Sequence, residues 1–243
     1  ANIEWSARYQ RPQHMMSQFA KNGYRVFYII ASRTPPSNKI YIADKVDENI
    51  YEVCLYVSST QNFYGEVIAY QNQIDFLNSL AELIKDYRIK SVLSIVHIPY
   101  WTPLVFKLKD KYGWMVLYDC MDEWVDFPNI GKALIEQEEI LVRQSDLVTV
   151  TASLLYEKWS SVAQRCILIR NAVDYAFFEE YCSPNCLLER MAHPVIGYYG
   201  ALAEWVDFEL LLSLVQSRPG WNFVLIGDVF VKDIAGLDKM LNV

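Results

Sequence analysis

The sequence predicts an α/β fold with parallel sheets, and three observations predict it. Short apolar runs alternate along the chain with longer stretches of helical period. Most of the runs are apolar throughout rather than at every second residue, as in strands covered on both faces. The strict strand–helix alternation implies right-handed crossovers, and therefore parallel pairing.

The elements follow in order. Ala1-Asn2-Ile3 reads as the tail of a strand. A helix is expected over residues 12–22, with Pro12 in its first turn and Asn22-Gly23 supplying a left-handed end. Strand 25–30 leads into a loop at Thr34-Pro35-Pro36-Ser37-Asn38, then strand 51–57, helix 66–87 and strand 91–97. Thr102-Pro103 reads as an N-cap followed by proline at the first helical position, opening a helix over 102–112. Strand 115–119, helix 131–145, strand 146–150, helix 153–160 and strand 166–169 complete a first unit. Residues 181–194, with two prolines and two cysteines, read as a connector. Strand 195–199, a helix over 208–217 capped by Asp207, strand 222–226 and a last helix over 231–241 begin a second unit. The expected division is 1–185 and 186–243. Two strands cannot bury both faces of an α/β domain, so the second unit is expected to be incomplete and the first to be clipped at its start.

Composition narrows the function classes. Hydrophobic residues make up 53% of the 243 residues and charged residues 21%, enough for a core and too few charges for a disordered chain. The net charge of −7 argues against general nucleic-acid binding, which requires clustered Lys and Arg. No apolar run approaches the roughly 18 residues of a membrane span, and the opening residues lack a signal-peptide pattern. Five cysteines, mostly beside apolar strands, fit a reduced cytoplasmic protein. Cys182 and Cys186 have a spacing some zinc sites use, but only His193 stands nearby, so free thiols and no metal site are expected.

Five segments carry candidate chemistry. Asn171-Ala172-Val173-Asp174 follows an apolar strand and makes a polar turn at its C-terminal end, the end that faces the ligand crevice in open α/β sheets. Arg8, Gln10, Arg11, Gln13 and His14 crowd the start of the first helix, where backbone N–H groups and the helix dipole favour anionic or hydroxyl-rich ligands. His97 ends an apolar strand and reads either as a satisfied core histidine or as a crevice residue, hydrogen-bonding or carrying a proton near neutral pH. Tyr100 and Trp101 read either as core or as a flat wall for a sugar ring. Asp119, Asp122 and Glu123 follow a strand and could line the crevice or bind a hard cation, or one Asp could simply cap a turn. Gly197 and Gly200 let backbone approach a phosphate, without forming a dinucleotide fingerprint or a P-loop.

Taken in order, these pieces resemble a retaining glycosyltransferase of the GT-B fold, with two Rossmann-like domains, in a bacterial branch similar to glycosyltransferase family 4. The stretch Gln10-Arg11-Pro12-Gln13-His14-Met15-Met16-Ser17-Gln18-Phe19-Ala20 looks like that branch's opening loop and helix. Tyr118-Asp119-Cys120-Met121-Asp122-Glu123 is similar to its mid-domain segment. Asn171-Ala172-Val173-Asp174 resembles the family's Asn-Gly-Val-Asp signature with Ala172 in place of Gly, and Gly197 through Asp207 resembles the start of the donor domain.

The resemblance implies an acceptor-side first domain and a donor-side second domain. It implies metal-independent transfer from a nucleotide-diphosphate sugar, used as substrate with no cofactor, to a carbohydrate or lipid-linked acceptor in cell-envelope or polysaccharide synthesis. His97 is expected to contact the transferred sugar. Arg11, Gln13, His14, Tyr100, Asp119, Asp122, Asn171 and Asp174 are expected on the acceptor side or crevice, and Gly200, Glu204 and Gly227 at the donor. The residue after Gly200, often Arg in the family, is Ala201, and the family's paired glutamates would lie beyond Val243. A fragment inactive by itself is therefore expected. A non-catalytic sugar- or nucleotide-binding module and a sugar-nucleotide epimerase are the alternatives. The expected location is the cytoplasm, with peripheral contact at the inner membrane face possible for lipid-linked acceptors.

Overall fold

The computed structural model describes residues 4–30, 40–59, 62–127, 129–180 and 186–243, with Cys186 and Leu187 described in backbone only. The expected strand tail at Ala1-Asn2-Ile3, the loop at 34–38 and the Cys182–Cys186 pair lie outside the described residues or side chains. The chain divides into two compact units, Ala1–Ala172 and Val173–Val243. That boundary falls at the polar turn after the first unit's last strand, ahead of the 185/186 division expected from the connector's composition.

In the first unit, β1 (Val26–Ile30) pairs parallel with β3 (Ile50–Leu55), and β2 (Tyr41–Asp47) pairs antiparallel with β3, giving the order β1-β3-β2. A second sheet is wholly parallel, in the order β4-β5-β6-β7, from β4 (Leu93–Val96), β5 (Met115–Cys120), β6 (Leu147–Val150) and β7 (Cys166–Leu168). Five helices flank them: α1 (Arg11–Lys21), α2 (Tyr70–Asp86), α3 (Thr102–Tyr112), α4 (Lys132–Gln144) and α5 (Ser153–Trp159). One continuous core joins both sheets, from Val53 and Leu55 on β3 to Val148 and Val150 on β6. An apolar cavity of about 190 Å³ lies between residues of β1 and β4.

Four expectations are corrected. Strand β2 is not among the expected strands: it is an edge strand whose apolar stretch ends at Ala43 and whose exposed C-terminal half carries Asp44, Lys45 and Asp47, so that it lacks the continuous apolar pattern of the buried strands. Helix α2 begins at Tyr70 rather than 66. Thr102 does not cap α3: a 3₁₀ turn over Pro99–Trp101 runs into it, and the Thr102 hydroxyl instead donates to the Pro99 carbonyl at 2.6 Å. The helix expected over 231–241 is absent. Left-handed backbone at Ala235 and Gly236 (φ 56° and 74°) breaks it, leaving a 3₁₀ turn at Leu237–Lys239.

The second unit contains α6 (Tyr175–Glu180), α7 (Cys186–Glu189), β8 (Val195–Tyr199), α8 (Phe208–Ser217) and β9 (Asn222–Ile226). Strands β8 and β9 pair in parallel, and Asp207 caps α8 by accepting the Leu210 N–H at 2.9 Å, as its sequence position predicts. Its buried hydrophobics are few, with Val215, Phe223 and Leu237 at the centre, while Ile196, Tyr199 and Ile226 of the two strands stay exposed.

Candidate functional site

Strand β5 builds the site, because its two faces do different work. Alternation along the strand sends Tyr118 and Cys120 one way and Asp119 the other. Asp119 is completely buried, yet no oxygen of its carboxylate is left bare. Arg11, the first residue of α1, meets it with two hydrogen bonds, Nε to Oδ2 at 2.9 Å and Nη2 to Oδ1 at 2.8 Å. Thr149, its register partner on β6, donates to Oδ1 at 2.7 Å. A fork-on-fork pair with an added hydroxyl is the geometry that makes a buried carboxylate tolerable. The remaining Arg11 nitrogen donates to Asn171 Oδ1 at 3.3 Å and to the Arg170 carbonyl at 3.4 Å, so the polar turn after β7 is tied to the same guanidinium.

His97 completes a row across three strands. Val96, the last residue of β4, pairs with Tyr118, so His97 just after the strand lies beside Asp119. Its Nε2 stands 3.6 Å from Asp119 Oδ2, outside hydrogen-bond reach, and is buried without a partner. Burial pushes the imidazole pKa down to about 4, against the opposing pull of Asp119 and with a further push from Arg11. His97 is therefore neutral near pH 7. It can exchange hydrogen bonds there, but it does not titrate as a proton carrier near neutrality.

His97 opens onto a cleft of about 430 Å³ in the first unit. Gln10 and Gln13 border it from the start of α1, Tyr28 from β1, and Met121, Asp122, Trp124 and Phe127 from the segment after β5; Asn62, Tyr64 and Asn129 close it. Gln13 is itself pinned: its amide donates to the Arg8 carbonyl at 2.6 Å and its oxygen accepts the Gln10 N–H at 3.2 Å. The Asp122 carboxyl is raised above its ordinary pKa by burial and then by Asp119. Trp124 donates its indole N–H to Tyr118 Oη at 3.1 Å, and Tyr118 donates to the buried Glu138 of α4 at 2.7 Å, which fixes the indole's orientation. The loop bearing Tyr64 is held by the Gly131 N–H, which reaches the Tyr64 carbonyl at 2.9 Å; a Cβ on Gly131 would stand 2.2 Å from the Gly65 oxygen, so only glycine allows this approach.

The structure thus brings Arg11, His97, Asp119 and Asn171 into one cluster and places Gln13 and Asp122 on the adjoining cleft. Other expected residues lie elsewhere. Tyr100 is wholly buried in the core, 4.5 Å from the Phe63 ring, and forms no wall of the cleft, because the 3₁₀ turn after β4 drives its side chain inward. His14 directly follows Gln13 but is not part of the cleft lining; its ring stands edge-on to Tyr9 at 4.6 Å. In the second unit Asp174 accepts the Phe177 N–H at the start of α6, and Glu204 is exposed. Gly200 and Gly227 (φ 146° and 153°) end β8 and β9 against each other: a Cβ on Gly227 would sit 1.8 Å from the Gly200 oxygen. Sequence reasoning does not single out Trp124, Phe127, Tyr64, Asn62, Asn129, Thr149 or Glu138. Trp124 and Phe127 closely follow the acidic segment after β5 and were within reach; Thr149 and Glu138 depend on cross-strand register and helix packing.

Comparison with known proteins adds to this geometry. No family model matches the chain. A curated relative, the "Putative teichuronic acid biosynthesis glycosyltransferase TuaH" of Bacillus subtilis (strain 168), is 23% identical over 137 residues, covering 49% of this chain and 34% of the relative. The chain thus spans about a third of the length of that relative. The catalytic domain of starch synthase IV from Arabidopsis thaliana superposes with a TM-score of 0.60 at 12% identity, covering 98% of this chain and 69% of that one. A sucrose-phosphate synthase from Thermosynechococcus elongatus gives 0.56 at 14% identity, covering 89% and 55%. Parallel sheets flanked by helices are the fold this chain shares with these GT-B structures, and its sequence similarity is to a protein described as a glycosyltransferase.

Proposed function

We propose that this chain is part of a glycosyltransferase that moves a sugar from a nucleotide-diphosphate donor to a hydroxyl of a carbohydrate or lipid-linked acceptor, with retention at the anomeric carbon, in cell-envelope or polysaccharide synthesis. The cleft in the first unit takes the acceptor. In the second unit the Gly200–Gly227 turn, with Glu204, approaches the donor nucleotide. The bond between the anomeric carbon and the phosphate oxygen breaks, and a bond to the acceptor hydroxyl forms on the same face. The nucleotide diphosphate leaves and takes up the hydroxyl proton. The donor is a substrate, and no resident metal or cofactor is required. Reaction takes place in the cytoplasm, with peripheral membrane contact when the acceptor is lipid-linked.

The observation that carries this reading is the buried Arg11–Asp119 pair beside His97, which itself borders a cleft lined by amides and aromatic rings. A neutral imidazole with an unpaired buried nitrogen suits a sugar hydroxyl, which both donates and accepts. Support also comes from the glycosyltransferase relative and from the starch synthase, whose structure is described as bound to ADP and acarbose.

The test is acceptor-dependent transfer, read by mass spectrometry, with the chain and with a version extended beyond Val243. The extended version is expected to add one sugar to a glycan acceptor and to lose that activity in His97→Ala; the 243 residues alone are expected to bind without turnover. Conversion of the free sugar nucleotide with no acceptor present would instead identify an epimerase. Binding without transfer in both versions would identify a binding module.

A further inference from the structure

The lining of the first-unit cleft bears on which sugars it accepts. Resting on the transferase reading above, we infer that the acceptor bound there is an uncharged, hydroxyl-rich sugar, and that sugars bearing a carboxylate or phosphate are rejected.

No Lys or Arg lines the cleft among the described residues. Its polar groups are the amides of Gln10, Gln13, Asn62 and Asn129, the neutral ring of His97, and Asp122. Cations close by in sequence are engaged elsewhere or absent from the lining. Arg11 sits between two lining residues, but its guanidinium is spent on Asp119, Asn171 and the Arg170 carbonyl. Lys158 is paired with Glu123, and exposed Arg8 is not part of the lining. The one ionisable group with acidic character, Asp122, already carries the cost of burial and of the Asp119 charge.

An anionic sugar entering this space would lose hydration with no cation among the described lining residues to replace it, and would stand beside the Asp122 carboxyl. A neutral pyranose meets the opposite situation. Side-chain amides offer donors and acceptors to its hydroxyls, and a site built to hydrogen-bond hydroxyls penalises a ligand that leaves those groups unpaired. The faces of Tyr64, Trp124 and Phe127 suit the C–H faces of the ring. A cleft of about 430 Å³ is at the small end of ligand sites, in keeping with one or two sugar rings.

Matched pairs test this directly: methyl glucoside against methyl glucuronide, methyl galactoside against methyl galacturonide, and glucose against glucose 6-phosphate. Each is titrated into the isotopically labelled chain at ~0.15 M salt, near physiological screening, while the amides of Asp122, Phe127 and Asn129 are followed. The neutral member of at least one pair is expected to shift these amides with a Kd at least about tenfold below its anionic partner, a difference of ~1.4 kcal/mol. Asp122→Asn is expected to narrow that ratio, and Asp122→Lys to reverse it. An anionic member binding equally or more tightly at these amides overturns the inference and leaves the cleft a sugar site. No shift at these amides with any sugar overturns the inference and the acceptor assignment of the cleft together.

Discussion

Arg11 and Asp119, 108 residues apart in sequence, face each other through two hydrogen bonds of 2.9 and 2.8 Å, one from Nε and one from Nη2. The pair locks the first turn of α1 onto the C-terminal end of β5. It also engages one of the two arginines that the sequence places at the start of α1 as candidate ligands for an anion. The polar lining of the cleft is therefore mainly amides and a neutral imidazole, while the Arg11 and Asp119 charges are paired with each other.

Removing one partner leaves the other charge buried. Arg11→Ala is expected to cost about 3–5 kcal/mol of unfolding free energy; Arg11→Lys is expected to cost less because it keeps the charge, but not nothing, because an ammonium cannot reproduce the fork. Asp119→Asn added to Arg11→Ala should restore part of the loss. Urea unfolding of the parent chain, Arg11→Ala, Asp119→Asn and the double variant gives the coupling directly, and additive losses would show that the pair does not act as a unit.

Burial of His97 makes stability fall as pH drops. Its pKa moves from an ordinary 6.5 when unfolded to about 4 when folded. Between these values the unfolded chain binds the extra proton and the folded chain does not, so stability declines as pH falls from 6.5 and levels off below 4. The shift corresponds to about 3 kcal/mol. Comparing chemical unfolding at pH 7 and pH 4.5 for the parent chain and His97→Gln isolates this contribution, and the variant should show a smaller drop.

The second unit depends on Gly227. An alanine there would place its Cβ 1.8 Å from the Gly200 oxygen and hold a left-handed backbone that side chains resist. Gly227→Ala is expected to destabilise the β8–β9 pairing by at least ~2 kcal/mol. Hydrogen exchange should quicken across 195–230 while β4 to β7 keep their protection. Unchanged exchange in β8 and β9 would show that the turn relaxes freely.

Behind the cleft wall, Tyr118→Phe removes the link between the Trp124 indole and Glu138. It leaves an N–H and a buried carboxyl without that partner, at a cost of about 1–3 kcal/mol. The Trp124 side chain should become more mobile, seen as line broadening of its indole N–H resonance, with sugar affinity falling and the fold retained.

Much of the fold was legible because buried parallel strands are apolar along their length. Strands β4 to β7 and the capped α8 follow from that and from Asp207. What escaped was either edge or context. The edge strand β2 is apolar only over its first three residues and exposed and largely charged after them, and the helix over 231–241 yields to the left-handed backbone at Ala235 and Gly236. In the site, strand-end position pointed to His97, Asp119 and Asn171. The Arg11–Asp119 pairing was hidden because it needs α1 and β5 brought together in space. Tyr100 went inward because a 3₁₀ turn, unannounced in the sequence, rotates it into the core.

The most direct test of this account is a crystal of the chain soaked with a neutral disaccharide. It predicts sugar density in the cleft, hydroxyls within hydrogen-bond distance of His97 and a ring face against Trp124 or Phe127. A sugar bound at any other place on the first unit, with the cleft left to solvent, would contradict it.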